Sequence, residues 1–268
     1  MSEASEQQEV TLTVPESVAR AWIERWDAQQ QVYMPDREER FTALIDAVQE
    51  CAGRADPLII DLGCGPGSLA ARLLDHIPDA EVVAVDADPL LLALGRAGYP
   101  RVRFADRNLR VPGWSAGLRL SRAVDAAVST TALHWLPPEA LASVYREVAG
   151  VLRPGGLLLN GDHLRQDADT APVLARLGRA LIEREEARRA PEGYGETWTG
   201  WWEAVAADPL LAGLVARRQR LGLESEHHGA GSGLLSVHVD ALRAGGFGEV
   251  GTIWQRGDNR LLCAVKPG

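Results

Sequence analysis

The chain has 268 residues, 46% hydrophobic and 24% charged, as in an ordinary globular protein of one elaborated domain or a domain plus a cap. A net charge of -9 leaves no basic footprint for a dedicated nucleic-acid binder. The three scattered cysteines suggest neither a disulfide framework nor a zinc site, no apolar run reaches the roughly 20 residues of a membrane span, and the polar, acidic N-terminus is no signal peptide, so a cytoplasmic protein without metal is expected.

Residues 1–14 show no periodicity. From Pro15 onward, Val18, Trp22 and Trp26 recur every four residues, which marks one face of a helix. A second helix is expected over 36–51, with Phe41, Leu44, Ile45 and Val48 inward. Leu58-Ile59-Ile60-Asp61-Leu62 is a short apolar run closed by glycines, the pattern of a buried parallel strand. Strand and helix signals then alternate. Helix 68–77 precedes strand 81–85, which Asp86 closes, and helix 89–96 precedes strand 102–105, which Asp106 closes. Strand 123–129, helix 138–152, a turn at Arg153-Pro154-Gly155-Gly156 and strand 157–159 follow. This alternation predicts an α/β fold, a Rossmann-like doubly wound sheet that is mostly parallel.

After Leu164 the pattern changes. Residues 165–231 carry no strong strand signal, and helices are expected over 173–189 and 198–221, a helical cap inserted after the fifth strand. Beyond it, 237–244 is helical, and Gly257-Asp258-Asn259 joins strands 250–254 and 260–265. That C-terminal hairpin places an antiparallel strand at the sheet edge. The expected division is N-terminal helices in 1–56 that cover a ligand, a core of 57–164 and 232–268, and the cap of 165–231.

The strongest chemical signal is Asp61-Leu62-Gly63-Cys64-Gly65-Pro66-Gly67 between strand and helix. Glycines there permit a tight turn and close approach of backbone to ligand. Asp61 at the loop's mouth repels a pyrophosphate and suits a positive amino group. Asp86 ends the second strand, where an acid accepts both hydroxyls of a ribose. Asp106 ends the third and suits an exocyclic amine such as that of adenine. Taken singly, each acid is equally a helix cap or a surface strand end. Cys64 fills the tight loop and has no redox role.

DLGCGPG (61–67), VVAVDAD (82–88), RFADRN (103–108), VDAAVSTTALHWL (124–136) and LRPGGLLL (152–159) resemble, in order, the motifs of the class I S-adenosylmethionine-dependent methyltransferases. YMPDREERF (33–41) and HVDALRAGGFGEV (238–250) resemble flanking parts of small-molecule members, including the trans-aconitate-methyltransferase-like branch. The resemblance implies S-adenosylmethionine as cofactor and S-adenosylhomocysteine as product. It carries Gly63, Gly65, Asp86 and Asp106 over as cofactor contacts, with Asp61, Cys64, Ala87 and Arg107 of the same motifs beside them. Ser129 and Thr130 come where such enzymes approach the methionine moiety. Tyr33 and Arg40 lie in a segment that folds over the cofactor in related enzymes, where an arginine can pair with the methionine carboxylate; a solvated helix face is the alternative.

A base adds about 10²–10⁴-fold when the acceptor has a proton to lose. His134, after the fourth strand, is the expected base, against the alternative that it packs on the cofactor or caps the next helix. His163, after the fifth strand, is the second candidate. Eight tryptophans stand against three phenylalanines, and Trp135, Tyr194, Trp198, Trp201 and Trp202 suit an apolar acceptor pocket. The alternative is that Trp198 and Trp202, spaced by one helical turn, form the cap's own core. The expected function is in-line methyl transfer to a small-molecule acceptor, on oxygen, carbon or nitrogen, a carboxylate included. A non-catalytic cofactor-binding scaffold or sensor and an NAD(P)-dependent oxidoreductase are the alternatives.

Overall fold

The computed structural model describes residues 13–34, 36–189, 195–223 and 232–268. In Leu58–Leu62 (β1) all five residues are buried, and alternate side chains enter different cores: Leu58, Ile60 and Leu62 one, Ile59 the other. A strand so apolar needs cover on both faces. It pairs in parallel with Glu81–Asp86 (β2) and Val124–Thr130 (β4). Arg103–Asp106 (β3) adds to β2, and Leu152–His163 (β5) to β4. Glu249–Arg256 (β6) and Asn259–Val265 (β7) complete a seven-stranded sheet of order β3-β2-β1-β4-β5-β7-β6.

This is the mostly parallel α/β sheet the sequence predicts, with the antiparallel C-terminal hairpin at its edge: β7 pairs with β5, and the turn at Gly257 (φ 63°) folds β6 back along its outer side as the edge strand. One local difference is that β5 begins at Leu152: its pairing shifts from Leu152 opposite Val124 to Leu157 opposite Ala126, so the expected turn 153–156 is extra length looped out of the ladder.

Arg37–Ala52 (α2) and Ser68–His76 (α3) cover one face, where Phe41, Leu44, Val48 and Leu73 meet Ile59, Val82 and Leu159. Pro138–Val151 (α5) and Leu235–Ala244 (α9) cover the other through Leu141, Val144, Val148 and Leu242. Each such side chain contributes about 1.5–3 kcal/mol by leaving water. Truncating fully buried Leu44 to alanine would cost about 2–5 kcal/mol.

Pro89–Gly98 (α4) starts at Asp88, whose carboxylate accepts from the Leu90 and Leu91 amides ahead of a first-turn proline. The outer face of α4 carries a third core. There Leu90, Leu91 and Leu94 meet Trp22 and Trp26 of Glu16–Tyr33 (α1), and residues that follow β5: Trp201 and Val205 of Trp198–Ala207 (α7), and Leu214 of Ala212–Arg220 (α8). The expected single helix 198–221 is therefore two. Pro209 disfavours helix at Asp208, and the Asp208 carboxylate instead accepts from the Leu210 amide and Trp22 Nε1, both at 2.9 Å. Pro172–Arg189 (α6) precedes them. Among the described residues no helix is long and apolar enough to cross a membrane.

Candidate active site

Leu62 pairs with Val85 on one side and Ser129 on the other, so β1, β2 and β4 end on one rim. The chain must then turn at once into α3, and Gly63, Gly65 and Gly67 all take positive φ. Gly63 is the most constrained, since a Cβ there would lie 2.3 Å from the Cβ of Ala132. The Gly63 and Cys64 amides both donate to the Val85 carbonyl, at 2.8 and 3.0 Å. The Gly65 amide donates to Asp86 Oδ2 at 2.8 Å, and the Asp88 amide to Oδ1 at 2.9 Å. Asp86 is thus held in place with a lone pair on each oxygen to spare. Burial raises its pKa to about 6, with the Asp88 charge adding and the backbone amides opposing.

Above this rim is a cavity of about 500 Å³, within the size range of cofactor and small-molecule sites. Gly63, Cys64, Gly65, Asp86 and Ala87 line it, as do Arg107, Thr130 and Tyr33. His134, Trp135, His163, Trp198 and Trp202 line it as well.

Other expected site residues lie off the wall. Ser129 is buried, its hydroxyl donating to the Leu62 carbonyl at 2.8 Å. Asp106 ends the edge strand β3 and is exposed, while Asn108, Leu109 and Arg110 of the following loop take the wall instead. Trp201 is core: it is fully buried, stacked edge-on with Trp22 and Trp26, and donates to the Trp22 carbonyl. Tyr194 lies outside the described residues. Asp61 is fully buried beneath the loop and neither of its carboxylate oxygens is hydrogen-bonded. Burial, with the Asp86 charge, raises it to about 7.

Arg40 is also off the wall. It faces the sheet from α2, fully buried, and donates to Asn259 Oδ1 and Thr130 Oγ1, both at 2.5 Å, and to the Met34 sulfur. Burial lowers its pKa to about 10, with Asp162 opposing. The α2 arginine on the wall is Arg37, one turn earlier at the helix start, where the face of α2 reaches the rim. Its Nη2 donates to Asp27 at 2.9 Å. Its buried Nη1 has no hydrogen-bond partner, the Glu38 carboxylate standing 3.8 Å away.

His134 sits in the short turn Leu133–Trp135 after β4, with Nδ1 2.9 Å from both oxygens of Asp162. Burial pushes the Asp162 carboxyl up. The hydrogen bond and charge of His134, with the charges of Arg40 and His238, outweigh it and hold the group below the ordinary value. An ionised carboxylate at Nδ1 fixes the proton there and leaves Nε2 as acceptor. The next residue, His163, has Nδ1 2.9 Å from Oδ1 of Asp258 in the β6–β7 turn. The sequence alone assigns Asp162 no role of its own; its partner appears only once β4 lies beside β5.

Trp22, Trp26, Trp198, Trp201 and Trp202 form one cluster. Trp26 lies 5.2 Å from Trp198 and 6.4 Å from Trp202, centroid to centroid. The Arg218 guanidinium sits 3.9 Å over Trp202 and pairs with Asp88 at 2.6 Å, tying α8 to the cavity's lower wall. Tyr33 accepts from the Trp198 amide at 3.0 Å.

Residues 59–156 match the methyltransferase-domain family. Trans-aconitate 2-methyltransferases of Methylobacterium radiotolerans and of an Azoarcus species are 30% identical over 186 residues and 33% over 133 residues. The matched segments cover 69% and 50% of this chain and 61% and 49% of those proteins, so the chain spans less than two thirds of the curated relatives' length. Among solved structures, DesVI of Streptomyces venezuelae has a TM-score of 0.56 at 14% identity, over 92% of this chain and 98% of that one, a likeness of fold.

Proposed function

We propose that the chain is a class I S-adenosylmethionine-dependent methyltransferase, a reading its likeness to the methyltransferase-domain family and to trans-aconitate 2-methyltransferases supports, and that it methylates a small-molecule acceptor bound in the cavity, the acceptor giving a proton to His134. The observation that carries this reading is one cavity lined by the glycine loop, Asp86 and His134, with Asp162 paired to His134.

The residues present fit the cofactor. Asp86 offers two pinned oxygens to ribose hydroxyls. The unpartnered Nη1 of Arg37 suits an α-carboxylate. The unpaired Asp61 carboxylate beneath the loop supplies negative potential for an ammonium and a sulfonium, where a pyrophosphate would be repelled. When bound, the cofactor supplies an electrophilic methyl carbon whose bond to sulfur breaks with its electron pair left on sulfur.

The chain's own residues do the rest. Holding acceptor and donor in line lowers the barrier by up to roughly 7–11 kcal/mol. His134 takes the acceptor's proton at Nε2, and Asp162 stabilises the imidazolium that results, a contribution of about 10²–10⁴-fold. Trp135, Trp198, Trp202 and Leu136 exclude water from the acceptor side. In this reading α7 and α8, with α1, are the cap over the acceptor.

The test uses cofactor tritiated on its methyl group, a fractionated small-molecule extract, and wild-type and His134→Ala protein. Label should enter a small organic product, and His134→Ala should lose it by about 100-fold or more while keeping its affinity for S-adenosylhomocysteine. Label found only in protein or nucleic acid, or equal turnover of the two proteins, would contradict the proposal.

A further inference from the structure

Base catalysis needs one oriented imidazole, and among the described residues two line the cavity. His134 is fixed by Asp162 and His163 by Asp258, each through Nδ1 at 2.9 Å. Asp162 and His163 are consecutive, so the two pairs are anchored one peptide apart, about 3.8 Å between Cα atoms. The second pair is also built. Asp258 is only 14% exposed, its carbonyl accepts from the Leu164 amide at 2.8 Å, and Asn259 beside it is held by Arg40. Both imidazoles line the same cavity, and with Nδ1 on a carboxylate each has Nε2 as its acceptor atom.

The charges around that space disfavour one acceptor class. Arg37, Arg107 and Arg110 are the cations on the wall, against Asp86 and Asp88. Asp162 and Asp258 stand directly behind the histidines, and Asp61 behind the loop. Arg107 donates to the Asp106 and Gly117 carbonyls and Arg110 to the Trp135 carbonyl. Arg40 and Arg218 also stand behind the wall, so these five arginines match the five acids, and each already donates to a carboxylate, a carbonyl or a side-chain oxygen, which leaves no surplus of cations for a polycarboxylate such as trans-aconitate. A carboxylate acceptor, already ionised, would also have no use for a base. What remains of the acceptor side is flat and apolar: Trp135, Leu136, Trp198, Trp202 and Leu223.

Building on the methyltransferase reading, we propose that the acceptor is an uncharged aromatic diol, one hydroxyl facing His134 and the other donating to Nε2 of His163. The first hydroxyl loses its proton to His134 as the carbon–oxygen bond forms and the carbon–sulfur bond breaks. The second keeps its proton and orients the ring on the tryptophans. His163 is thus an acceptor-orienting residue.

Calorimetry on the full chain saturated with S-adenosylhomocysteine tests this with the dihydroxycoumarin esculetin, its monohydroxy analogue umbelliferone, and trans-aconitate. Wild type should bind esculetin about tenfold more tightly than umbelliferone, the worth of one well-made hydrogen bond, and should not bind trans-aconitate. His163→Ala should lose the preference for esculetin and keep its affinity for umbelliferone. Equal affinities in wild type, a preference unchanged in His163→Ala, or binding of trans-aconitate would overturn the inference while the methyltransferase reading stood. Failure of S-adenosylhomocysteine to bind would overturn both.

Discussion

Asp162→Asn removes a charge and almost no volume. In the wild-type chain both Asp162 oxygens lie 2.9 Å from His134 Nδ1, and Oδ1 also accepts from the His163 amide at 2.8 Å. In the variant the side-chain oxygen keeps the His163 amide, and the new NH₂ group faces His134. The imidazole must then accept at Nδ1 and carry its proton on Nε2, the atom required to take one. Turnover should fall by the whole contribution of the base, about 10²–10⁴-fold, or roughly 3–5 kcal/mol of barrier. The cofactor side of the cavity is untouched, so the Kd for S-adenosylhomocysteine should stay within about twofold of wild type. Asp162 is held below 3.8 in the folded chain. Its charge therefore contributes stability above the unfolded value, lost as pH falls through the folded one, and at neutral pH the variant should melt lower. The assay is the initial rate of S-adenosylhomocysteine formation with the labelled acceptor fraction, beside a binding titration and a thermal melt. Turnover within about threefold of wild type, or a loss matched by an equal loss of cofactor affinity, would refute the reasoning.

Burial and Asp86 move Asp61 from 3.8 to about 7. The folded chain holds this proton more tightly than the unfolded one, so the stabilisation is complete below pH 3.8 and lost as pH rises through 7. Thermal melts of the unliganded protein should show stability declining toward neutral pH by up to on the order of 4 kcal/mol from this group, and Asp61→Asn should flatten the decline; parallel curves would contradict this. Arg37→Met should weaken S-adenosylhomocysteine by about tenfold or more, whereas Arg40→Met should leave its affinity nearly unchanged and lower Tm, since Thr130 and Asn259 lose their donor; calorimetry giving the reverse order would return the cofactor carboxylate to Arg40. Gly63→Ala places a Cβ 2.3 Å from that of Ala132 at φ 66°, costing about 1–2 kcal/mol of backbone strain and about 1–3 kcal/mol of overlap. A melt and a titration should show lower Tm and lost cofactor binding, and an unchanged Tm would refute this use of the glycine.

The sheet is legible in the sequence because β1 is apolar on both faces and because Asp86, Asp106 and the glycines punctuate strand ends in a fixed order. The edge hairpin is legible too, from the turn residues at 257–259, while which of its strands joins β5 is decided by residues far apart in sequence. The helix break at Asp208-Pro209 is written in the chain, but Trp201, Val205 and Leu214 give an apolar pattern that runs across it. Strand-end position puts Asp86 and the glycine loop on the cavity, since a strand end fixes a residue's place. It fails for Arg37 and Arg40, which share a face of α2 one turn apart: one reaches the rim and the other the sheet, and only the seating of the helix separates them. Asp162 and Asp258 fail for a related reason. A carboxylate's role here is its histidine, and both pairings, 28 and 95 residues apart, arise from strand neighbours and a hairpin turn. Among the tryptophans, Trp201 is drawn into the core by α1, a contact the spacing of 198, 201 and 202 does not reveal.

The central claim, that the glycine loop and Asp86 form a site for the sulfonium cofactor, is tested most directly by calorimetric titration of S-adenosylhomocysteine into wild-type and Asp86→Ala protein. Wild type should bind at micromolar Kd, roughly -8 kcal/mol, and Asp86→Ala, folded by circular dichroism, should not bind measurably. No binding to folded wild-type protein, or equal binding to both, would contradict the account.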